Sequence, residues 1–236
     1  MKYVLNFLIA VLCLPFGVWA HGYWIETEGT HKPGAAVVVK LYFGDYVAGE
    51  RLSGKTLDKM KDIKVFVTTP KGDRQQVEMK QGEHYWEGVF LPQGDGAYLL
   101  TGINDVREVQ DWTKHNLGIV RPIQYLQAVY TVGKERVTPP VSQFLSVIVS
   151  QRSKKKYEIT VLKDGAPSPE GTLVFTSFGG SEQTLSIKNG KADITVKTPG
   201  TYLLSTEWID NTPGDFKDKH YETIRHRADY TLVHEG

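Results

Sequence analysis

The chain has 236 residues, 28 Lys and Arg against 27 Asp and Glu, a formal net charge of +1 and a single cysteine. So even a balance lacks the basic footprint that nucleic acid or an anionic membrane surface requires, and neither is expected as a partner. The length is ample for one or two hydrophobic cores without disulfide support.

Lys2 gives a short basic start, and Val4 to Trp19 is almost wholly apolar, with Pro15 and Gly17 late in the run. Followed by Val18-Trp19-Ala20, this reads as a secretory signal peptide over residues 1–20. It is too short to cross a bilayer as a helix, and no later segment reaches the roughly 18 apolar residues such a span needs. Direct membrane insertion is therefore not expected, and the mature protein is expected to be periplasmic or secreted. Cys13 lies inside the leader, so the mature chain has no disulfide, thiolate site or cysteine nucleophile. Cleavage after Ala20 leaves His21 as the first residue.

Helical periodicity is nearly absent from the remainder. Short runs rich in Val, Ile, Thr and Tyr recur at Ala36–Phe43, Ile63–Thr68, Tyr85–Phe90, Gly96–Thr101 and Tyr125–Thr131. They return at Tyr157–Leu162, Gly171–Ser177, Gln183–Ile187, Ala192–Thr198, Gly200–Glu207 and His226–His234. Lys188-Asn189-Gly190-Lys191 carries the Asn-Gly pair of a two-residue type I′ hairpin. The pattern predicts an all-β chain of two β-sandwich domains, Ig-like or transthyretin-like, over 21–150 and 151–236. Val137-Thr138-Pro139-Pro140 closes the first block, and the basic run Arg152–Lys156 reads as a solvated linker. Arg107–Leu117 reads as a long loop or a single helical turn, and Ile209–Tyr221 as a second long loop. Loops of this length on a β scaffold often carry function.

No nucleophile elbow, zincin motif, phosphate-binding glycine loop or cysteine pair is present. Nothing in the chain calls for an enzyme. Histidine remains. A mature N-terminal His21 offers its α-amine, with a reference pKa near 7.7 to 8.0, together with Nδ1 of the same residue. Such a nitrogen-rich site favours Cu, Ni or Zn over Mg or Ca. On an extended last strand His226 and His234 share a face but lie roughly 26 Å apart, so they cannot ligate one ion together. His226 sits between Arg225 and Arg227, His234 reads as a solvated tail, and His31 reads as a turn residue. His84, His115 and His220 are the better second ligands, while Glu26, Glu28 and Asp45 offer oxygen. Core packing accounts for Tyr23 and Trp24.

His21, Trp24 and Ile25 after the leader, Lys32-Pro33-Gly34, Leu41-Tyr42-Phe43-Gly44 and the strand Gly96-Ala97-Tyr98-Leu99-Leu100 together resemble a bacterial periplasmic family. Its members are often labelled components of nickel or cobalt uptake, or simply a conserved domain of unknown function. Lys163-Asp164-Gly165-Ala166-Pro167, Gly190-Lys191-Ala192-Asp193-Ile194 and Pro199-Gly200-Thr201-Tyr202-Leu203 resemble the transthyretin-like or carboxypeptidase-regulatory sandwich. Many members carry Gly-His where this chain has Gly44-Asp45, so the resemblance implies that this chain uses Asp45 or another histidine in that place, or has a weakened site.

The expected role is non-enzymatic binding of one divalent transition-metal ion (Ni, Co, Cu or Zn), in the service of an inner- or outer-membrane transporter. The expected ligands are His21, Asp45 and one of His84, His115 or His220. The alternative is a carbohydrate- or protein-binding envelope module that uses Tyr and Trp on loops at the sandwich ends.

Overall fold

Alternating apolar and polar residues satisfy themselves as strands with one face buried, and most of this chain does so. The computed structural model describes residues 21–134 and 137–236; the leader expected over 1–20 lies outside the described residues. Among them are twenty strands and two short 3-10 helices. The first ten are β1 (Gly22–Glu28), β2 (Val37–Asp45), β3 (Glu50–Arg51), β4 (Lys64–Thr68), β5 (Arg74–Val77), β6 (Lys80–Gln81), β7 (Trp86–Phe90), β8 (Gly96–Asn104), β9 (Gln110–Asp111) and β10 (Ile119–Val132). The others are β11 (Leu145–Ser153), β12 (Lys156–Lys163), β13 (Ala166–Pro167), β14 (Glu170–Ser177), β15 (Glu182–Lys188), β16 (Lys191–Thr195), β17 (Gly200–Asp210), β18 (Gly214–Phe216), β19 (Lys219–Tyr221) and β20 (Thr223–His234).

A five-stranded sheet runs β1-β2-β7-β6, with β3 on β2. A longer sheet runs β11-β12-β16-β15-β14-β17-β20-β10-β8-β4-β5 and also carries β13 and β9. The five-stranded sheet packs on the β10-β8-β4-β5 arm, burying Ile25, Val39 and Leu41 against Val65, Leu100 and Leu126. The rest of the long sheet turns back on itself, so that Val147 of β11 meets Leu204 of β17 and Leu232 of β20. The chain is therefore all-β, with two sandwich cores.

β10 belongs to both. Leu126, Ala128, Tyr130 and Val132 point into the first core, while Ile123 and Tyr125 point into the second, as the two-residue period of a strand dictates. β20 lies against β10 in parallel register, Val120 opposite Thr223 through Ala128 opposite Thr231. On its other edge β20 pairs antiparallel with β17. A third cluster, Trp24, Tyr42, Tyr46 and Leu203, covers the opposite face of β1. Both Tyr23 and Trp24 are core residues, as expected.

Three expectations fail. Lys154 and Lys155 of the run expected as a linker form the turn of the β11–β12 hairpin. β11 is the terminal strand of its sheet, so its solvent side tolerates Gln151 and Arg152 and hides the strand behind a polar composition. Ile209–Tyr221, expected as one long loop, holds the end of β17 and the β18–β19 hairpin. His234, expected in a solvated tail, is 2% exposed because its ring packs on Tyr157, with Nδ1 2.7 Å from that hydroxyl. Arg107–Leu117 takes the helical-turn alternative at Thr113–His115, just after β9.

Candidate functional site

The antiparallel register of β1 and β2 sets Gly22 opposite Gly44, so the next step outward sets His21 opposite Asp45. Asp45 in turn faces Glu50 across the β2–β3 turn. Gly44 makes this close approach possible, since a Cβ there would fall 2.0 Å from the Glu50 carbonyl oxygen. His21 Nε2 is 4.0 Å from Glu50 Oε2, and its ring lies 5.6 Å from that of Phe43. Asp45 is nearly buried, and its Oδ1 accepts the Ala48 N–H at 2.9 Å.

His21, Phe43, Asp45 and Ala48 form one wall of a cleft of about 1180 Å³. The segment from Asn104 at the end of β8 to His115 in the second 3-10 helix forms another, and Ser205, Glu207, Arg225 and Arg227 of β17 and β20 form the floor. Alternation along β20 explains the floor: Ala228, Tyr230 and Leu232 enter the second core, so Arg225, Arg227 and Asp229 take the opposite face.

Charge in the cleft is organised. Asp229, 1% exposed, accepts from Arg227 Nε at 2.9 and 3.0 Å and from its Nη2 at 2.9 Å. It also accepts hydrogen bonds from Ser205 Oγ and Gln124 Nε2, both at 2.5 Å. Burial works against the Arg227 charge, but the Asp229 carboxylate outweighs it and the guanidinium pKa is raised. Arg225 pairs with Glu207, its Nε donating at 2.8 Å, and lies over the Trp112 ring at 5.2 Å. Lys59 lies over the Phe43 ring at 3.7 Å, and burial together with Arg107 lowers its pKa. Arg107 has no ion pair or hydrogen bond from its side chain among the described residues, and burial, with Arg225 and Arg227 nearby, pulls its pKa down. Asn104 is fully buried, with neither amide atom in a hydrogen bond of good geometry, although the amide lies beside the Tyr23 hydroxyl.

Of the residues expected at a metal, His21, Asp45 and His115 line this cleft. His84 does not; it is exposed in the β6–β7 turn, 4.0 Å from neighbouring Glu83. His220 is exposed in the β18–β19 hairpin, with Nδ1 3.2 Å from Asp215. Glu26 is engaged by Trp24 and Arg51, and Glu28 by Lys40. His31 occupies its turn with φ of 57° and bonds to the Thr131 carbonyl. Among the described residues no group of three or more His, Cys, Asp or Glu side chains is close enough to hold a metal ion. Imidazole and carboxylate at His21 and Glu50 are donors that suit a divalent transition metal. The further donor at that point is the α-amine that leader removal would free.

Lys59, Asn104, Arg107, Arg225 and Arg227 were not read as site residues from the sequence. The signal was present on the last strand: Arg225-x-Arg227-x-Asp229 puts three charges on one face of an otherwise apolar run. Arg107 and Asn104 left no such trace, because only the turn after β8 directs them to the same place.

A family model described as "Domain of unknown function (DUF4198)" matches residues 18–210. No curated protein matches the chain. Among solved structures, a two fibronectin type-III domain segment from chicken tenascin is 8% identical, with a TM-score of 0.25, 88% of this chain and 97% of that one being covered. A DUF4785 family protein from Legionella pneumophila is 13% identical, with a TM-score of 0.30 and coverage of 78% and 51%. A DUF3823 family protein from Bacteroides uniformis is 11% identical, with a TM-score of 0.24 and coverage of 77% and 91%. Overlaps this loose carry no functional argument.

Proposed function

Since the chain belongs to the DUF4198 family, a domain family of unknown function, we propose its role from the cleft: it binds a divalent transition-metal ion at the His21 end. Nickel, cobalt, copper and zinc are the candidates, and binding, not turnover, is the task. One observation supports this reading above the others: the residue that leader removal would expose opens onto this cleft, together with Asp45 and His115. In this reading His21 supplies amine and imidazole, and Glu50 or Asp45 supplies oxygen. The protein works in the periplasm and hands its ion to a membrane transporter.

The test compares the mature protein beginning at His21 with a version carrying one extra residue ahead of it. Calorimetric titration with copper and nickel at pH 8 should show affinity at least roughly tenfold higher for the first, as expected for loss of one ligand of a chelate. The amine must be unprotonated to coordinate, so affinity should fall as pH drops below about 7.7. Equal affinity in the two proteins would overturn the proposal.

A further inference from the structure

The inner wall of the same cleft presents a different chemistry, and it makes no use of His21. Arg107 is half-buried, yet its five guanidinium donors have no carboxylate or carbonyl partner among the described residues. Its electrostatic neighbours are the Tyr23 hydroxyl and three cations, Lys59, Arg225 and Arg227. Gathering like charges in a partly desolvated place is unfavourable unless something negative joins them. The neighbouring acids do not fill that role. Glu207 is taken by Arg225, Glu108 by Lys217 and Lys219, and Asp45 by the Ala48 N–H. Asp62 and Glu182 are exposed to solvent.

Asn104 supplies the second, independent observation. It is 0% exposed and lines the cleft, and both ends of its amide lack a hydrogen bond of good geometry, the Tyr23 hydroxyl being the one polar group beside it. A buried amide left this way costs on the order of 1–3 kcal/mol unless a partner arrives. Its NH₂ group donates, as an oxyanion requires.

We propose that Arg107 and the Asn104 amide form the seat for the carboxylate of a small organic anion, with Arg225 and Arg227 as a fixed cationic backing. Asp229 and Glu207 already occupy the backing pair, which leaves Arg107 as the open fork. A planar guanidinium matches a carboxylate in two parallel hydrogen bonds. The rest of the cavity calls for more than an inorganic ion. At about 1180 Å³ it exceeds the roughly 300–1,000 Å³ usual for small-molecule sites. Tyr23, Phe43, Trp112 and Leu203 give it an apolar lining, so the ligand carries an apolar body behind its charged head.

The experiment uses the mature protein, passed over a chelating resin so that metal is absent. It is titrated with octanoate, with octanamide as the uncharged analogue, and with inorganic phosphate. Octanoate should bind at least roughly tenfold more tightly than octanamide, the difference expected for a charge-assisted pair. Arg107→Met should weaken octanoate by a similar factor while leaving the melting temperature unchanged or higher, since it removes an unpaired half-buried charge. Asn104→Asp should weaken it as well, by setting a second anion at the seat. Equal binding of octanoate and octanamide, or full octanoate affinity in the folded Arg107→Met variant, would overturn the proposal. Phosphate binding as tightly as octanoate would overturn the assignment to an organic carboxylate.

Discussion

His226 carries two facts at once: its Nδ1 lies 2.9 Å from the Tyr125 hydroxyl, and its ring is 4.3 Å from that of Phe144. Burial pulls its pKa from 6.5 down to about 4, with Asp210 opposing and Arg121 and Lys163 adding to the fall. The unfolded chain therefore takes up a proton below about 6.5 that the folded protein refuses until about 4. Stability is unaffected by this group above pH 6.5 and falls as the pH drops towards 4, by up to ~3 kcal/mol. Thermal melts between pH 7 and 4.5 should show the loss, and His226→Gln should flatten that part of the profile. An unchanged slope in the variant would remove His226 as its source. Sequence reasoning placed this histidine between two arginines but gave no hint of its burial. That depends on which face of β20 meets the second core, and spacing alone does not say which face is inward. The two flanking arginines take the other face of the strand, where their side chains form the floor of the cleft.

Among elements, the β2–β3 connection shows how backbone proximity shapes the site. Gly44 faces Arg51, and any side chain at 44 meets the Glu50 carbonyl. Gly44→Ala must push the two strands apart, at about 1–3 kcal/mol, the usual cost of overpacking. A urea titration should show a lower midpoint with an unchanged slope; an unaltered midpoint would mean that the turn yields freely. The sequence made Gly44 visible as a family position but not as a steric requirement. Hairpins were more legible. Asn189-Gly190 forms the turn expected between β15 and β16, Asn189 with φ of 50° and Gly190 with φ of 76°, because that turn needs two left-handed residues in succession. β11 was invisible for the opposite reason: an edge strand need bury only one side, so Gln151-Arg152 looked like a boundary.

At the scale of the molecule, the two cores are joined through β10 and β20, which lie side by side between β8 and β17. All-β character and two sandwiches were readable from strand length and turn spacing. A parallel pairing of strands about a hundred positions apart was not, since neither carries any mark of its partner. Removing residues 228–236 deletes the part of β20 that faces Tyr125, Leu126, Gln127, Ala128 and the first half of β17. The truncated protein should lose its cooperative thermal transition and its near-ultraviolet dichroism. A sharp melt near that of the full chain would show that the first sandwich closes without β20.

That pairing also sets an order of events as the polypeptide is made. Synthesis delivers β10 long before Thr223–His234, and during that interval the edge of β10 that β20 will cover has no partner. An uncovered edge is a template for another chain, and contacts between remote positions form slowly. Nascent copies of this protein are therefore most prone to stick to one another just before Thr223–His234 emerges. A holding factor that shields β10 for that interval should raise the yield of folded protein more than it changes the stability of the finished product.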